Sequence, residues 1–279
     1  MKIIKTTIKA GATKPFKLLH MTDSHIYRDD MTGWNRKGTF DVDYDGCTED
    51  YFLEALKYAK DNNMVILHTG DLIDFFSEGN FEFLKKHFTG DIDYIYAAGN
   101  HDFVDFKDMK NGKSEDKGYK ETQIHVVAPY IKNNLYFYSR MINGVNIVTM
   151  DDSYYLISKG QLDMLKAEVA KGYPIILAMH VPIYTERLAA SMIEDGHPCA
   201  YVVAPLEELL MTYPENRKQQ QTPDSETIHA VEYIKNEPMI KAVITGHNHK
   251  NFEEKINNDV IQYTTHGSFA GYVREITIE

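Results

Sequence analysis

Five short apolar runs in this chain break off at side chains able to bind metal or move protons. The clearest is Met64-Val-Ile-Leu-His-Thr-Gly-Asp71. Val65, Ile66 and Leu67 are too few for a helix and are bounded by turn formers, so they predict a buried strand. Gly70 lets the backbone turn sharply and lets a neighbour approach closely. A carboxylate just past a buried strand stands where open α/β sheets place their ligands. The other four runs end in the same way. Residues 16–22 lead into Asp23-Ser-His25, residues 94–98 into Gly99-Asn-His-Asp102, residues 174–179 into His180, and residues 241–245 into Gly246-His-Asn-His249.

Helical patterns alternate with these runs. Thr48 is placed to cap a helix with Phe52, Leu53, Leu56 and Ala59 on one face, and Ser77 to cap another with Phe81, Leu84 and Phe88. Strand, helix, strand, helix, strand predicts a parallel core. Residues 3–8 read as a first strand, and 135–141 with 145–150 as neighbours around the Asn143-Gly144 turn. A short helix is expected over 121–130. Ser158 opens another that Gly172 closes. Three stretches read as excursions from one domain spanning 1–279: the Gly- and Asp-rich 26–46, a charged surface loop over 103–118, and a cap-like insertion over 184–237 with helical patterns at 202–212 and 226–236. From Asn251 onward the pattern suggests two or three antiparallel strands.

The formal net charge is −11, which weighs against a non-specific nucleic-acid or anionic-membrane binder. It leaves anionic substrates open, because bound cations reverse a local field. Cys47 and Cys199 have no metal-type spacing and read as reduced thiols. No apolar run approaches a membrane span and no signal peptide is evident, so a soluble, cytoplasmic protein is expected.

Asp23, His25, Asp71, Asn100, His180, His247 and His249 are all oxygen or nitrogen donors. In extended chain, the i, i+2 spacing of Asp23/His25 and of His247/His249 puts both side chains on one face. Seven donors without sulfur exceed one structural zinc and suit two ions sharing a carboxylate, with Mn, Fe or Zn favoured over Mg or Ca. Each element alone is weak. A lone Gly-Asp arises by chance, and a lone strand-end His is more often a hydrogen-bonded core residue. Their joint occurrence is a strong signal.

In this order the blocks resemble the calcineurin-like metallophosphoesterases, and all five of that family's motif blocks are present between residues 23 and 249. The resemblance implies an α/β fold, a four-layer αββα sandwich of two mixed β-sheets flanked by helices, with the metals at strand C-termini. It implies one ion held by Asp23, His25, Asp71 and His249. The other would be held by Asp71, Asn100, His180 and His247, with Asp71 and a water or hydroxide bridging. His101 would meet the phosphate and protonate the leaving oxygen, and Asp102 would orient it. The cofactors are then two divalent or trivalent metal ions. The substrate is a small phosphorylated molecule or cyclic nucleotide, mono- or diester.

Departures from subfamily patterns narrow this further. The Ser/Thr protein phosphatases carry an Arg soon after Gly-Asp, where this chain reads Asp71-Leu-Ile-Asp74-Phe-Phe76. That puts a protein-phosphatase alternative in doubt. A non-catalytic scaffold on the same fold would have no need of His101. His20 and His68 read as buried and hydrogen-bonded; His87, His125 and His229 as solvated; His197 as outside the site. His266, after the 260–265 strand, is placed to line the pocket and contact substrate with Asn100 and His101. Tyr27, Trp34 and Tyr184 would stack on a leaving group, and Arg28, Arg36 and Arg187 would bind a second anion, though all six are more often surface residues.

Overall fold

A computed structural model describes residues 1–28, 47–116, 118–197, 199–205, 218, 222–257 and 259–279. Two mixed sheets build it. The first contains β1 (Lys2–Ile8), β2 (Phe16–Met21), β3 (Val65–His68), β4 (Tyr94–Tyr96) and β11 (Tyr272–Ile278), in the order β1-β11-β2-β3-β4. The second contains β5 (Phe137–Ile142), β6 (Val145–Met150), β7 (Ile175–Ala178), β8 (Ile240–Thr245), β9 (Phe252–Lys255) and β10 (Ile261–Thr264), in the order β5-β6-β7-β8-β10-β9. Strands β2, β3 and β4 run parallel, as do β6, β7 and β8.

Alternation along each strand sets the layers. Leu18, Leu67, Ile95, Ile147, Ile176 and Ile244 meet in one cluster between the sheets. Their neighbours Leu19, Ile66 and Tyr96 face helix α1 (Thr48–Asp61) and α2 (Glu78–His87), which contribute Phe52, Phe83 and Leu84. On the far side, Leu177 and Val243 pack with Leu162 and Leu165 of α5 (Lys159–Val169) and Ala230 and Ile234 of α7 (Ser225–Asn236). The result is helix, sheet, sheet, helix: the αββα sandwich. Side-chain caps fix the helix starts at Ser77 and, through a full capping box with Gln161, at Ser158.

Several local expectations fail. Residues 103–118 are not a charged loop: they hold α3 (Phe106–Lys110) and one short 3-10 turn (Lys113–Glu115), and Phe103, which ends another 3-10 turn, is fully buried. The apolar residues Phe103, Val104, Phe106 and Met109 fall within only seven positions, too few to set a helical period among the flanking charges. Helix α4 (Tyr119–Val127) starts two residues before the expected one. Helix α7 is a core helix covering the second sheet, so half of the expected cap is not one. Helix α6 (Glu186–Glu194), capped by Thr185, was not anticipated. Val202 pairs with Ile183 in an isolated bridge rather than opening a helix. In the tail, β9 and β10 are antiparallel, but β11 leaves for the first sheet and pairs parallel to β1 and antiparallel to β2. Trp34, Arg36, most of the 26–46 excursion and most of the expected helix at 202–212 lie outside the described residues. Among the described residues, no helix is long and apolar enough to cross a membrane.

Candidate metal centre

The strand ends converge through backbone conformations that the sequence pattern did not suggest. Asp23, His25, Asp71, His247 and His249 all have positive φ, between 43° and 66°. The two i, i+2 pairs are therefore not extended. Each alternates through the left-handed region, and that alternation is what brings both side chains to one place. Gly70 (φ 91°) makes the turn into Asp71, and a Cβ there would strike the Gly99 backbone and lie 2.7 Å from His180 Nδ1. At Gly246 a Cβ would strike Thr22 and lie 2.5 Å from Asp23 Oδ2. These glycines let the first sheet's loops touch those of the second.

His101 comes within 4.8 Å of ligand atoms on His25 and Asp71, and the expected donors fall into two groups drawn together at that same distance: Asp23, His25 and His249, and Asp71, His180 and His247. Asp71 Oδ2 stands between them, 3.3 Å from His180 Nε2 and 3.7 Å from His25 Nε2. Asn100 Oδ1 is 3.2 Å from His180 Nε2. Asp23 Oδ1 is 3.2 Å from His249 Nε2. Residues from five segments thus meet, as the sequence predicts.

Partners outside this ring of donors fix their orientation. His180 Nδ1 donates to Thr69 O (2.6 Å), and its backbone N–H donates to Asp152 (2.8 Å). The His247 N–H donates to Asp23 Oδ2 (2.9 Å) and the His101 N–H to Asp71 Oδ1 (2.8 Å). Asp102 departs from expectation. Its carboxylate does not orient His101; it accepts from the N–H groups of Asp71 (3.0 Å), Leu72 (2.9 Å) and Gly99 (2.7 Å) and from Tyr96 Oη (2.5 Å). It is a turn-binding carboxylate with no capacity left over. Asp74 takes the other role. Its Oδ1 is 3.3 Å from His101 Nδ1 and 3.0 Å from His25 Nδ1, and its carbonyl is 3.0 Å from His101 Nδ1.

The charges are mutually dependent. Burial opposes the ionised Asp71, but His180 and His101 hold its carboxyl well below the usual range. Burial likewise opposes charge on His101 and His180, yet Asp71 outweighs it, pushing His101 up to about 9 and His180 up to about 10. Burial wins at His25 and His247, which are pushed down.

The donor set fits metal ions. Asp23 Oδ1 and His247 Nε2 are buried with no hydrogen-bond partner, a cost rarely left unmet. Two pairs of imidazole nitrogens face each other, His25 Nε2 with His249 Nε2 at 3.3 Å and His180 Nε2 with His247 Nδ1 at 3.2 Å. A cation at each facing pair would meet one nitrogen of every ring, and the first would also meet Asp23 Oδ1, while His247 Nε2 would carry that ring's proton.

A cavity of about 690 Å³ opens over the donors, lined by His25, Asp71, Asn100, His101, His247 and His249 on its floor. Its wall comes from Met192, Asp195, His197 and Cys199 after and within α6, and from Lys250, Asn251 and His266. His266 does line it. So does His197, contrary to expectation; its placement depends on α6, which was not anticipated. Tyr184 instead rings against Tyr201, and Arg187 covers Phe252. Arg28 is engaged by Glu49, with Nε to Oε1 at 2.7 Å. Sequence reasoning gave no structural role to Asp74 or Asp152. The first lies three residues past Asp71. The second lies two residues past the end of β6, a sixth strand end of the same kind.

The family model for "Calcineurin-like phosphoesterase" matches residues 16–251. No curated protein matches the chain. Among solved structures, a dimetal phosphatase from Danio rerio is similar at 12% identity and TM-score 0.54, with 91% of this chain and 88% of that one covered. A Haemophilus influenzae NAD nucleotidase is similar at 14% identity and TM-score 0.44, covering 92% of this chain and 51% of that one. A 5'-nucleotidase from Candida albicans is similar at 10% identity and TM-score 0.39, covering 94% and 47%. At 12% identity, the likeness to the dimetal phosphatase is one of fold.

Proposed function

The chain belongs to the calcineurin-like phosphoesterase family, and on that premise we propose that it hydrolyses a phosphate mono- or diester of a small molecule, with His101 as general acid. The observation that carries this is Asp71: one of its carboxylate oxygens lies between the two donor groups, and the other accepts the His101 N–H. Asp23, His25, Asp71 and His249 would hold one ion, and Asp71, Asn100, His180 and His247 the other. Mn, Fe or Zn suit nitrogen and oxygen donors of this kind. Bound there, two such ions would supply a more acidic water and positive charge for the phosphoryl oxygens.

The chain's own residues supply the rest. Asp74 engages His101 Nδ1 through both its carboxylate and its carbonyl, which fixes the ring and leaves Nε2 for the leaving oxygen. Asp102 holds the backbone of the Asp71 turn, so the carboxylate between the two donor groups is fixed in place. The α6 wall limits the cavity to about 690 Å³, which favours a small phosphorylated molecule over a protein surface. A metal-binding scaffold would not require the Asp74–His101 pair.

The test is turnover of p-nitrophenyl phosphate and bis(p-nitrophenyl) phosphate by protein loaded with Mn, Fe or Zn. Hydrolysis of at least one is expected. No turnover with any metal would overturn the assignment.

A further inference from the structure

His68 lies beneath the donors, fully buried, and touches no proposed ligand side chain closely enough to hydrogen-bond. Its two ring nitrogens nevertheless bind the two loops that carry three of the ligands. Nδ1 accepts the Gly70 N–H at 3.2 Å, at the turn into Asp71. Nε2 lies 2.8 Å from Ser24 Oγ, between Asp23 and His25. A backbone N–H can only donate, so Nδ1 must carry the lone pair and Nε2 the proton. His68 is therefore a neutral Nε2–H tautomer that donates to Ser24.

The chain of donors continues. Ser24, accepting from His68, has its own proton left for Ser268 Oγ at 2.7 Å. Around Ser268, backbone bonds return to the ligand loop: Ser268 N–H to Thr22 O at 2.7 Å and Phe269 N–H to Asp23 O at 3.2 Å. The His68 ring also stacks on Tyr96, with centroids 5.3 Å apart and planes 21° apart. Tyr96 in turn donates to Asp102, which binds the far side of the same Gly70-Asp71 turn. The turn is thus gripped from both sides, by His68 at Gly70 and by Asp102 at Asp71.

We propose that His68 is a positioning residue of the metal centre, setting the spacing between the Asp23–His25 loop and Asp71 through the Gly70 and Ser24 bonds of its Nε2–H tautomer. This rests on the two-ion reading above. Outer partners of this kind fix ligand geometry, and losing one typically weakens metal binding or activity 10- to 100-fold.

Calorimetric titration of metal-free protein with Mn or Zn tests it. The wild-type chain is expected to bind two ions. His68→Phe keeps the stacked ring and removes both nitrogens, and its affinity for at least one ion should fall 10- to 100-fold. Asn can reproduce Nδ1 and Gln can reproduce Nε2, so His68→Asn and His68→Gln should each recover part of that loss. Should His68→Phe not fold, Ser24→Ala removes one bond with the ring in place and should weaken binding in the same direction. Unchanged affinity in these variants would overturn the proposal. So would a lower unfolding temperature in chelator with metal affinity intact, because His68 would then serve only the fold. Failure of the wild type to bind any ion would instead overturn the metal centre itself.

Discussion

At single positions, the notable economy is that strain and function coincide. Nine described non-glycine residues have positive φ, and Asp23, His25, Asp71, His247 and His249 are among them. Each such position costs about 1–3 kcal/mol and survives only where neighbours over-determine it. Here they do: Asp23 N–H bonds Gly70 O and His25 N–H bonds Asp71 O, both at 2.9 Å. The side-chain types were visible in the sequence, but their backbone conformations were not. A carboxylate's partner was equally invisible, which is why Asp102 was given the role that Asp74 fills. Asp71→Asn should lose at least one of two bound ions, read by elemental analysis of metal-loaded protein; full retention would deny it the bridging place. His101→Ala should lower kcat by roughly 10²–10⁴ with both ions retained, as expected for loss of a general acid. Asp74→Asn should also lower kcat, whereas loss of metal from His101→Ala would make that histidine a ligand.

Among the elements, the strands were legible because apolar runs bounded by turn residues have few other uses. Residues 65–67 and 241–245 lie within strands, and 94–98 and 174–179 each contain one. What failed was pairing and layer. Nothing local to Tyr272–Ile278 reveals that it crosses to the first sheet, since the partner is chosen by the turn before it and by distant strands. The same gap misplaced α7. Its apolar residues are spaced as on any helix with one buried face, and only the second core shows that Ala230 and Ile234 belong to the outer layer. Helix α6 was lost because Leu188, Ala189 and Met192 form a narrow stripe on a short helix. The distinction has a consequence. Ile234→Ala should cost about 2–5 kcal/mol in urea unfolding, the usual range for a buried Ile truncated in a core. A cost near zero would return α7 to the role of a peripheral cap.

For the whole molecule, the two sheets are joined by more than apolar contact. Between them, His20 on β2 bonds Thr69 Oγ1 (2.8 Å) and Thr265 Oγ1 (2.9 Å), and Arg274 on β11 donates to Thr265 Oγ1 (2.9 Å) and Thr264 O (3.2 Å) and pairs with Glu253 on β9. This buried polar layer makes stability depend on pH. Burial, then Arg274 and His68, hold His20 well below its ordinary value; burial, partly opposed by Asp23, pushes His68 down to about 3. Both are neutral in the folded chain and titrate near 6.5 when unfolded. Their contribution is complete above about pH 6.5 and is lost as pH falls toward the folded values. His101 and His180, raised to about 9 and about 10 in metal-free protein, act in another window: their contribution is complete below about pH 6.5 and is lost as pH rises through those values. Between pH 6.5 and pH 5 the His68 contribution alone should fall by about 2 kcal/mol, against an opposite change from Asp102 and Asp152, whose carboxyls burial pushes up to about 6 and about 7. Urea unfolding at the two pH values measures this. His68→Asn, which removes this one buried titration, should shift the slope in this interval by the His68 share. An unchanged slope in that variant would mean that the ring is already charged in the folded protein, and the Gly70 N–H would then have no lone pair to meet.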